Sequence, residues 1–439
     1  MKTDTHTTVQ LGEPKAVHLS PTWERYERAG KRFIWGHHQF PKLCPGPGGE
    51  IYLHVNIGPD TPWGEKDSSW YVSRDGGATW QPTDVEELDL SPMPVTLPDG
   101  RQIHSPGQSK LQHYSGKFKG DRTVSPAKHG AKPVMGPIPH RYTVSEMEVY
   151  RMNDVPEQAR SIPLFCRDSA EDAWTATRAV FDVPDLLMVC RVRGIAWWDG
   201  TKAWTEFQPR FGLHRLSGMV VLPDGSLLVT VMSQHPEITD RVYYQVLCLQ
   251  STDAGRTWTK RGVIAGDTQT SHGYQGEKVL RVAPNGDLVC LIRTLGDLDP
   301  AASRWLAQCR STDGGFTWSA PRKIAAFCVT PQLITLDNGT MVAGYGRPGV
   351  YLRTSSDSAH TWSDPLAVHG PDERDLPEDK DVGNQWFDAN RKRYSCANID
   401  TVVTGPDRFL LAYSDFQYPH PEGGTCKAII VRQVVIGGV

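Results

Sequence analysis

A glutamate and two arginines occupy positions in this sequence where charged groups are unusual. Arg293 ends the apolar run Leu288–Ile292, and Glu277 lies sixteen residues before Arg293, across an apparent hairpin turn. Arg347 stands in the Gly- and Pro-rich loop Gly344–Gly349. A charge at the end of an apolar strand needs a partner, and a guanidinium group binds carboxylates through paired hydrogen bonds. Arg293 therefore needs a partner of opposite charge.

Composition excludes several classes of protein. The chain has 439 residues, with 47 Lys and Arg against 50 Asp and Glu, and it has no basic stripe that would favour nucleic acid. No apolar run has the length of a membrane span, and the first residues lack the apolar core of a signal peptide. Nine dispersed cysteines without a CxxC pair are typical of reduced core residues. We therefore expect a cytoplasmic chain unless a leader has been removed, and the scattered histidines predict no metal site.

The strongest repeat is the octapeptide Ser-x-Asp-x-Gly-x-Thr-Trp. It occurs at Ser73–Trp80, Ser251–Trp258, Ser311–Trp318 and, with Ala359 replacing its glycine, at Ser355–Trp362. The Asp carboxylate can accept hydrogen bonds from its own turn, the glycine can take a positive φ, and the Trp can pack beneath the turn. Ala359 predicts that the fourth turn is distorted or rebuilt.

A second kind of turn lies between the octapeptides and completes a repeating unit. Asp-Gly or Asn-Gly turns end at Gly225, Gly286 and Gly339, and apolar runs flank each of them. The two turns give four short antiparallel strands in roughly 45–60 residues, which is the blade of a propeller. We therefore predict an all-β, six-bladed β-propeller.

The predicted blades begin near residues 33, 89, 211, 272, 328 and 394. Residues 33–439 would form a single propeller domain. Residues 1–32 would form an extension whose strand closes the ring with the strand Cys426–Ile436. The long second interval contains the segment 103–140, which has the composition of an inserted loop, and a seventh blade would also fit there.

The octapeptides resemble the Asp-boxes of the sialidase (neuraminidase) superfamily. The resemblance implies that the boxes lie on the rim of the blades, away from the central channel. The aspartates of the four boxes would then be structural: Asp75, Asp253, Asp313 and Asp357. Because propellers without activity carry the same boxes, these repeats predict the fold and not the function.

The resemblance also implies roles for residues outside the boxes. In that superfamily a Glu precedes a hairpin, an Arg follows sixteen residues later, another Arg lies eight residues before the Ser of a box, and a Tyr-Ser dipeptide opens the last blade. Glu277, Arg293, Arg347 and Tyr394 match these positions. Tyr394 would then be the nucleophile, activated by Glu277, and the arginines would hold the substrate carboxylate. A neutral phenol suits an acidic sugar, which would repel a carboxylate nucleophile.

The first blade departs from the family pattern. In the superfamily an Arg-Ile-Pro stretch supplies the first of three arginines that bind the substrate carboxylate, and Gln39 stands at that position here. Loss of such a charged hydrogen bond should weaken carboxylate binding by about 1–3 kcal/mol. His38 is one of several nearby cations that would substitute, the others being Arg32, His37 and Arg215.

Asp60, thirteen residues before the first box, is the expected acid/base, although it also fits a solvated turn, and Asp67 is an alternative. Arg353 is expected to face solvent.

We predict an exo-glycosidase that removes a terminal acidic sugar, a sialic acid or a related 2-keto-3-deoxy sugar acid. Arg293, Arg347, Gln39, His38 and Tyr274 would bind this sugar, and Tyr274 is also a second candidate for the nucleophile. One alternative is a lyase acting on uronic-acid polysaccharides, in which His38, Gln39 and Tyr274 would act. Another is a glycan-binding propeller without activity. None of these functions requires a cofactor, and we expect neither nucleic acid nor membrane as a partner.

Overall fold

The computed structural model consists almost entirely of β-strands. It describes residues 7–28, 37–46, 48–58, 68–84, 94–104, 130–140, 145–154, 161–169, 171–195, 203–204, 208–209, 218–267, 273–294, 305–326, 329–347, 349–375 and 398–437. Within these ranges the helical segments are α1 (Trp23–Arg28) and two short 3-10 helices, Met152–Asp154 and Glu373–Asp375. The predicted all-β class is confirmed.

The strands are numbered in chain order. Their bounds are β1 Thr8–Leu11, β2 Lys15–Thr22, β3 Gln39–Pro45, β4 Ile51–Asn56, β5 Ser68–Ser73, β6 Gln81–Pro82, β7 Val95–Thr96, β8 Gln102–His104, β9 Met135–His140, β10 Ser145–Arg151, β11 Ser161–Arg167, β12 Thr175–Phe181, β13 Leu187–Ile195, β14 Ala203–Trp204, β15 Gln208–Pro209, β16 Val220–Val221, β17 Leu227–Gln234, β18 Tyr244–Ser251, β19 Thr257–Ala265, β20 Tyr274–Val282, β21 Leu288–Thr294, β22 Leu306–Ser311, β23 Arg322–Ala325, β24 Gln332–Thr335, β25 Met341–Gly346, β26 Val350–Ser355, β27 Leu366–His369, β28 Asp400–Gly405, β29 Arg408–Pro419 and β30 Thr425–Gly437.

Consecutive strands pair in the order expected of propeller blades. Strands β3–β6, β20–β23 and β24–β27 each form a four-stranded antiparallel sheet in chain order. Strands β28–β30 form another sheet, and both β1 and β2 pair with β30. The first and last strands of the described chain therefore share one sheet.

The second predicted interval is more complex than one blade. Strands β7, β8, β11 and β12 join β16–β19 in one eight-stranded sheet through a single parallel pair, β12 with β19. The chain leaves this sheet after β8 and returns at β11, and β9, β10 and β13–β15 form a separate sheet. The segment predicted as an inserted loop, 103–140, thus includes the end of β8 and all of β9, while its residues 105–129 lie outside the described ranges.

The core consists of apolar clusters that lie between neighbouring sheets. Leu53 of β4 packs in one cluster with Leu410 of β29, and Leu291 of β21 packs in another with Leu333 of β24. Each sheet therefore buries apolar side chains against the next sheet, which is how repeated units without a core of their own are stabilised. This is the architecture of a β-propeller.

The four boxes share one hydrogen-bond pattern. In each box the Ser hydroxyl donates to the Asp carboxylate at 2.7–2.8 Å, and the amide four residues after the Ser donates to its Oγ at 2.8 Å. In the first box the Thr79 hydroxyl, its amide and the Ser73 hydroxyl lower the pKa of Asp75 to about 2. The box carboxylates thus stabilise their own turns.

The fourth box keeps this backbone pattern without its glycine. Ala359 has a φ of 63°, a left-handed value that glycine takes more easily, so the expectation of a distorted turn is wrong for the backbone. Only the Trp contact is rebuilt. In the other boxes the indole N–H donates to the glycine carbonyl at 2.8–3.2 Å, whereas Trp362 donates to Gln308 Oε1 at 2.6 Å and Gln308 Nε2 donates to the Ala359 carbonyl at 2.9 Å.

Candidate functional site

Glu277 and Arg293 meet because they lie on the two strands of one hairpin. Strands β20 and β21 are antiparallel, with Lys278 opposite Ile292, so the sixteen-residue spacing brings the two charges to the same end of the sheet. Arg293 Nη1 donates to Glu277 Oε2 at 2.7 Å. The Arg293 side chain is 9% exposed and that of Glu277 is 30% exposed. The structure thus brings together two residues that the sequence predicts in one site.

The neighbouring sheet adds two further groups to this carboxylate. The Thr330 amide, just before β24, donates to Glu277 Oε2 at 2.8 Å. Burial alone would raise the pKa of Glu277, but Arg293, the Thr330 amide and the charge of Arg347 outweigh it and hold this pKa below its usual value. Glu277 is therefore ionised at neutral pH and can act as a proton acceptor.

Arg347 directly follows β25, in a tight loop. Its φ is 73°, and its amide donates to the Gly349 carbonyl at 3.2 Å. A non-glycine residue in the left-handed region is uncommon and often lies at a functional site. Arg293 bonds to Glu277, and the charge of Arg347 from the adjacent sheet helps to lower the pKa of the same carboxylate.

Tyr274 stands at the start of β20 and contacts a different carboxylate. Its hydroxyl donates to Asp267 Oδ2 at 2.6 Å, and the Tyr243 hydroxyl donates to the Asp267 carbonyl at 2.8 Å. Tyr274 is 1% exposed, and burial together with the Asp267 carboxylate raises its pKa. In this arrangement the phenol is engaged as a donor between β20 and the end of β19.

Gln39 begins β3 and contacts a buried lysine of the last sheet. Lys427 Nζ donates to Gln39 Oε1 at 2.7 Å and to the His37 carbonyl at 2.9 Å. Gln39 is 0% exposed and Lys427 is 1% exposed. The Lys427 ammonium also lies over the rings of Phe416, at 4.9 Å, and Trp23, at 5.6 Å. A cation therefore lies beside the position where the expected arginine is missing.

His38 belongs to a chain of hydrogen bonds. Its Nδ1 lies 2.7 Å from His18 Nε2, and His18 Nδ1 lies 2.7 Å from the Tyr71 hydroxyl. Burial lowers the pKa of His18 to about 4, and burial together with the charges of His18, Lys427 and His37 lowers that of His38 to about 3. Both imidazoles are neutral at physiological pH, so His38 does not supply the missing positive charge.

Two predicted catalytic residues, Tyr394 and Asp60, lie outside the described residues, as do Asp67, Arg32 and Arg215. Their roles remain predictions from the sequence. The nearest described residues are Gly58, which precedes Asp60, and Asn398, which follows Tyr394.

Sequence reasoning missed a buried polar cluster around Glu373. The Tyr345 hydroxyl donates to Glu373 Oε2 at 2.6 Å, and Arg353 Nη2 donates to the same oxygen at 3.1 Å. The prediction that Arg353 faces solvent is therefore wrong, because its side chain is 17% exposed and pairs with a carboxylate 6% exposed. The sequence did contain a signal for this cluster: a charged residue inside the strand Val350–Ser355, whose other residues are apolar or small. The same signal marks Lys427 within β30.

The described ranges offer no evident metal site or membrane segment. No group of three or more His, Cys, Asp or Glu side chains in these ranges is arranged to hold a metal ion. Among the same residues, no helix is both long enough and apolar enough to cross a bilayer.

The stacked sheets and the four box turns define the class of a β-propeller built on Asp-box repeats. Residues 161–419 match the family model described as a BNR repeat-like domain, and the chain belongs to that family. The sialidase-like superfamily suggested by the octapeptides is thereby confirmed. No curated protein sequence matches the chain significantly.

Several solved structures are similar to the chain. A protein of unknown function from Dyadobacter fermentans is 16% identical, with a TM-score of 0.54 over 98% of this chain and 99% of its own. The Hadza microbial sialidase Hz136 is 14% identical, with a TM-score of 0.43 over 91% of this chain and 65% of its own. An α-L-arabinanase of Penicillium chrysogenum is 14% identical, with a TM-score of 0.45 over 96% and 98%. The similarity to the Dyadobacter fermentans protein supports the fold, and none of these similarities assigns a reaction to this chain.

Proposed function

We propose that this protein is a glycoside hydrolase that removes a terminal acidic sugar from a glycan. The observation that carries the proposal is the set of charges at the ends of β20, β21 and β25. Glu277 is ionised and bonded to Arg293, and Arg347 acts on the same carboxylate. Two guanidinium groups can hold the carboxylate of a sugar acid, and the ionised Glu277 can accept a proton.

The reaction would proceed through a covalent intermediate. Tyr394 attacks the anomeric carbon while its phenol proton passes to Glu277, and Asp60 gives a proton to the leaving oxygen as the glycosidic bond breaks. Water then attacks the anomeric carbon and displaces the Tyr394 oxygen, Asp60 takes the water proton, and Glu277 returns the proton to Tyr394. The roles of Tyr394 and Asp60 rest on their positions in the sequence.

Lys427 lies behind Gln39 and does not contact solvent, since it is 1% exposed. The family resemblance predicts a third cation at the position of Gln39, and the Lys427 ammonium lies 2.7 Å from Gln39 Oε1. Positive charge is therefore retained close to this position, although the group at the position itself is an amide. We propose sialic acids and related 2-keto-3-deoxy sugar acids as the substrate class.

Hydrolysis of a panel of aryl glycosides tests this function. The panel should contain sialic acids, related keto acids and neutral pentoses and hexoses. We expect release from the acidic members only, and a loss in kcat of about 10²–10⁴-fold on Glu277→Ala because its proton transfer is removed. Tyr394→Phe should reduce kcat at least as much. Matched controls are Glu422→Ala, an exposed carboxylate paired with Arg25, and Tyr418→Phe.

Three results would contradict parts of the proposal. Activity that survives both Glu277→Ala and Tyr394→Phe would exclude the mechanism. Release from the neutral glycosides alone would exclude the substrate class. A product with the ultraviolet absorbance of an unsaturated sugar would show that the reaction is an elimination and not a hydrolysis.

A further inference from the structure

A buried carboxylate bonds to both of the sheets that carry the charged site. Glu373 begins the short 3-10 helix that follows β27, and its side chain is 6% exposed. The Ala326 amide donates to Glu373 Oε1 at 3.2 Å, and the Tyr345 hydroxyl donates to Glu373 Oε2 at 2.6 Å. Ala326 directly follows β23 of one sheet, whereas Tyr345 belongs to β25 of the next. One side chain therefore joins the sheet of Glu277 to the sheet of Arg347.

In the second of these sheets, Glu373 bonds to both strands of the hairpin that carries Arg347. Tyr345 lies two residues before Arg347, and its ring stacks on that of its cross-strand partner Tyr351, with the centroids 5.8 Å apart. From β26, Arg353 Nη2 donates to Glu373 Oε2 at 3.1 Å, and its Nε donates to the Tyr345 hydroxyl at 2.8 Å. Arg347 itself has a φ of 73°. A non-glycine residue keeps such a conformation only where the surrounding structure fixes it.

In the first sheet, Glu373 bonds to the chain shortly before a group that contacts Glu277. Ala326 lies four residues before Thr330, whose amide donates to Glu277 Oε2 at 2.8 Å. The Thr330 amide and the charge of Arg347 both lower the pKa of Glu277. The partners of Glu373 are therefore two and four residues, along the chain, from two of the groups that keep Glu277 ionised.

We propose that Glu373 is a positioning residue, which holds the Arg347 hairpin and the Thr330 amide in place for their action on Glu277. Its contribution to a reaction rests on the proposed function, in which Arg347 binds the substrate carboxylate and Glu277 accepts a proton. Its effect on the charged groups does not, because ionisation of Glu277 can be measured without a substrate.

The sign of the effect distinguishes positioning from direct electrostatic action. A second carboxylate raises the pKa of a neighbouring one, so removing the charge of Glu373 would by itself lower the pKa of Glu277. Displacement of Arg347 or of the Thr330 amide would raise this pKa, since both groups stabilise the ionised form. A rise after removal of Glu373 therefore reports a change of position.

The pKa of Glu277 in the full chain can be followed by carbon-13 NMR of its carboxyl group, with Glu277→Gln identifying the signal. Arg347→Met gives the rise that follows complete loss of that charge. We expect Glu373→Ala to raise the pKa by at least roughly half as much. Tyr345→Phe keeps the stacked ring and changes no charge, and it should raise the pKa by a smaller amount.

Asp372→Ala is the matched control for this measurement. Asp372 is the carboxylate next to Glu373 in the chain, but it pairs with the exposed Arg374 at 2.6 Å, so its loss should leave the pKa of Glu277 unchanged. An unchanged or lowered pKa in Glu373→Ala, or an equal rise in Asp372→Ala, would overturn the proposal. If Glu373→Ala does not fold, an unchanged pKa in Tyr345→Phe would overturn it.

A kinetic comparison separates the positioning role from the proposed function. The acid limb of the profile of kcat/KM against pH, measured with an aryl glycoside of a sialic acid, reports the pKa of the base in the free enzyme. In Glu373→Ala this limb should move to higher pH together with the pKa of Glu277. If the wild type cleaves this substrate and neither quantity moves in the variant, the positioning role is refuted and the hydrolase stands. If the wild type does not cleave it while the pKa of Glu277 rises in the variant, the hydrolase is refuted and the positioning of the charged groups stands.

Discussion

Replacing Arg293 with methionine would remove the partner of a largely buried carboxylate. The Arg293 side chain is 9% exposed, and its Nη1 lies 2.7 Å from Glu277 Oε2. Removing one partner of a fully buried ion pair costs about 3–5 kcal/mol, whereas an exposed pair contributes about 0–1 kcal/mol. Because the Glu277 side chain is 30% exposed and keeps the Thr330 amide, we expect the free energy of unfolding to fall by an intermediate amount, about 2 kcal/mol.

The loss should depend on pH in a definite direction. The pKa of Glu277 is lowered in the folded chain, so its ionisation stabilises the fold above the pKa of the unfolded state, and this contribution disappears as the pH falls through the folded-state pKa. Without Arg293 the folded-state pKa rises. The difference between wild type and Arg293→Met should therefore be largest near neutral pH and should shrink in acid.

Urea unfolding at neutral and acidic pH measures both effects. Arg374→Met is the matched control, because Arg374 pairs with Asp372 at 2.6 Å but is 69% exposed. Its effect should stay within about 1 kcal/mol. The double variant Glu277→Gln with Arg293→Met should lose less than the sum of the single variants. A loss as small as that of Arg374→Met, or one independent of pH, would refute the reasoning.

Glycine and alanine exchanges in two boxes test the sheet contacts and the turns by the same urea assay. A Cβ at Gly77 would lie 2.5 Å from Leu410 in the last sheet, whereas nothing lies within 4 Å of one at Gly76, and both have positive φ. Gly76→Ala should therefore lower the free energy of unfolding by about 1 kcal/mol, and Gly77→Ala by about 2–4 kcal/mol; equal losses would contradict the contact between the first and last sheets. Ala359→Gly relieves the left-handed φ of 63° but removes a methyl group that is 0% exposed in a core cluster, so the two effects should nearly cancel and the free energy of unfolding should change by less than about 0.5 kcal/mol; a gain above about 1 kcal/mol would show that relief of φ outweighs the lost packing.

The box turns were predictable because their bonds are local. In the third box, Ser311, Asp313 and Thr317 satisfy one another within seven residues. The Glu277–Arg293 contact was accessible for a similar reason, because one hairpin fixes the register that joins them. Short sequence separations leave few alternative partners, so a pattern in the sequence is enough to predict such contacts.

The remaining site contacts join distant parts of the chain and have no local pattern. The Gln39–Lys427 bond spans 388 residues, and the His18–Tyr71 bond spans 53. Gln308 reaches the fourth box from a neighbouring sheet and bonds to the Ala359 carbonyl and to the Trp362 indole. These partners depend on how the sheets stack, which the repeat predicts in outline only. The second interval shows the same limit, since its two sheets interleave along the chain.

Gln39, which stands at the position of the expected arginine, is best understood together with its partner Lys427. An ammonium group only donates hydrogen bonds, so the atom of Gln39 that faces Lys427 must be Oε1. The amide nitrogen of Gln39 is therefore turned away from Lys427. The Lys427 side-chain nitrogen is buried against Phe416 and Trp23. The place of the expected arginine is thus shared by groups from two sheets: an amide from Gln39 of β3 and a side-chain amine from Lys427 of β30.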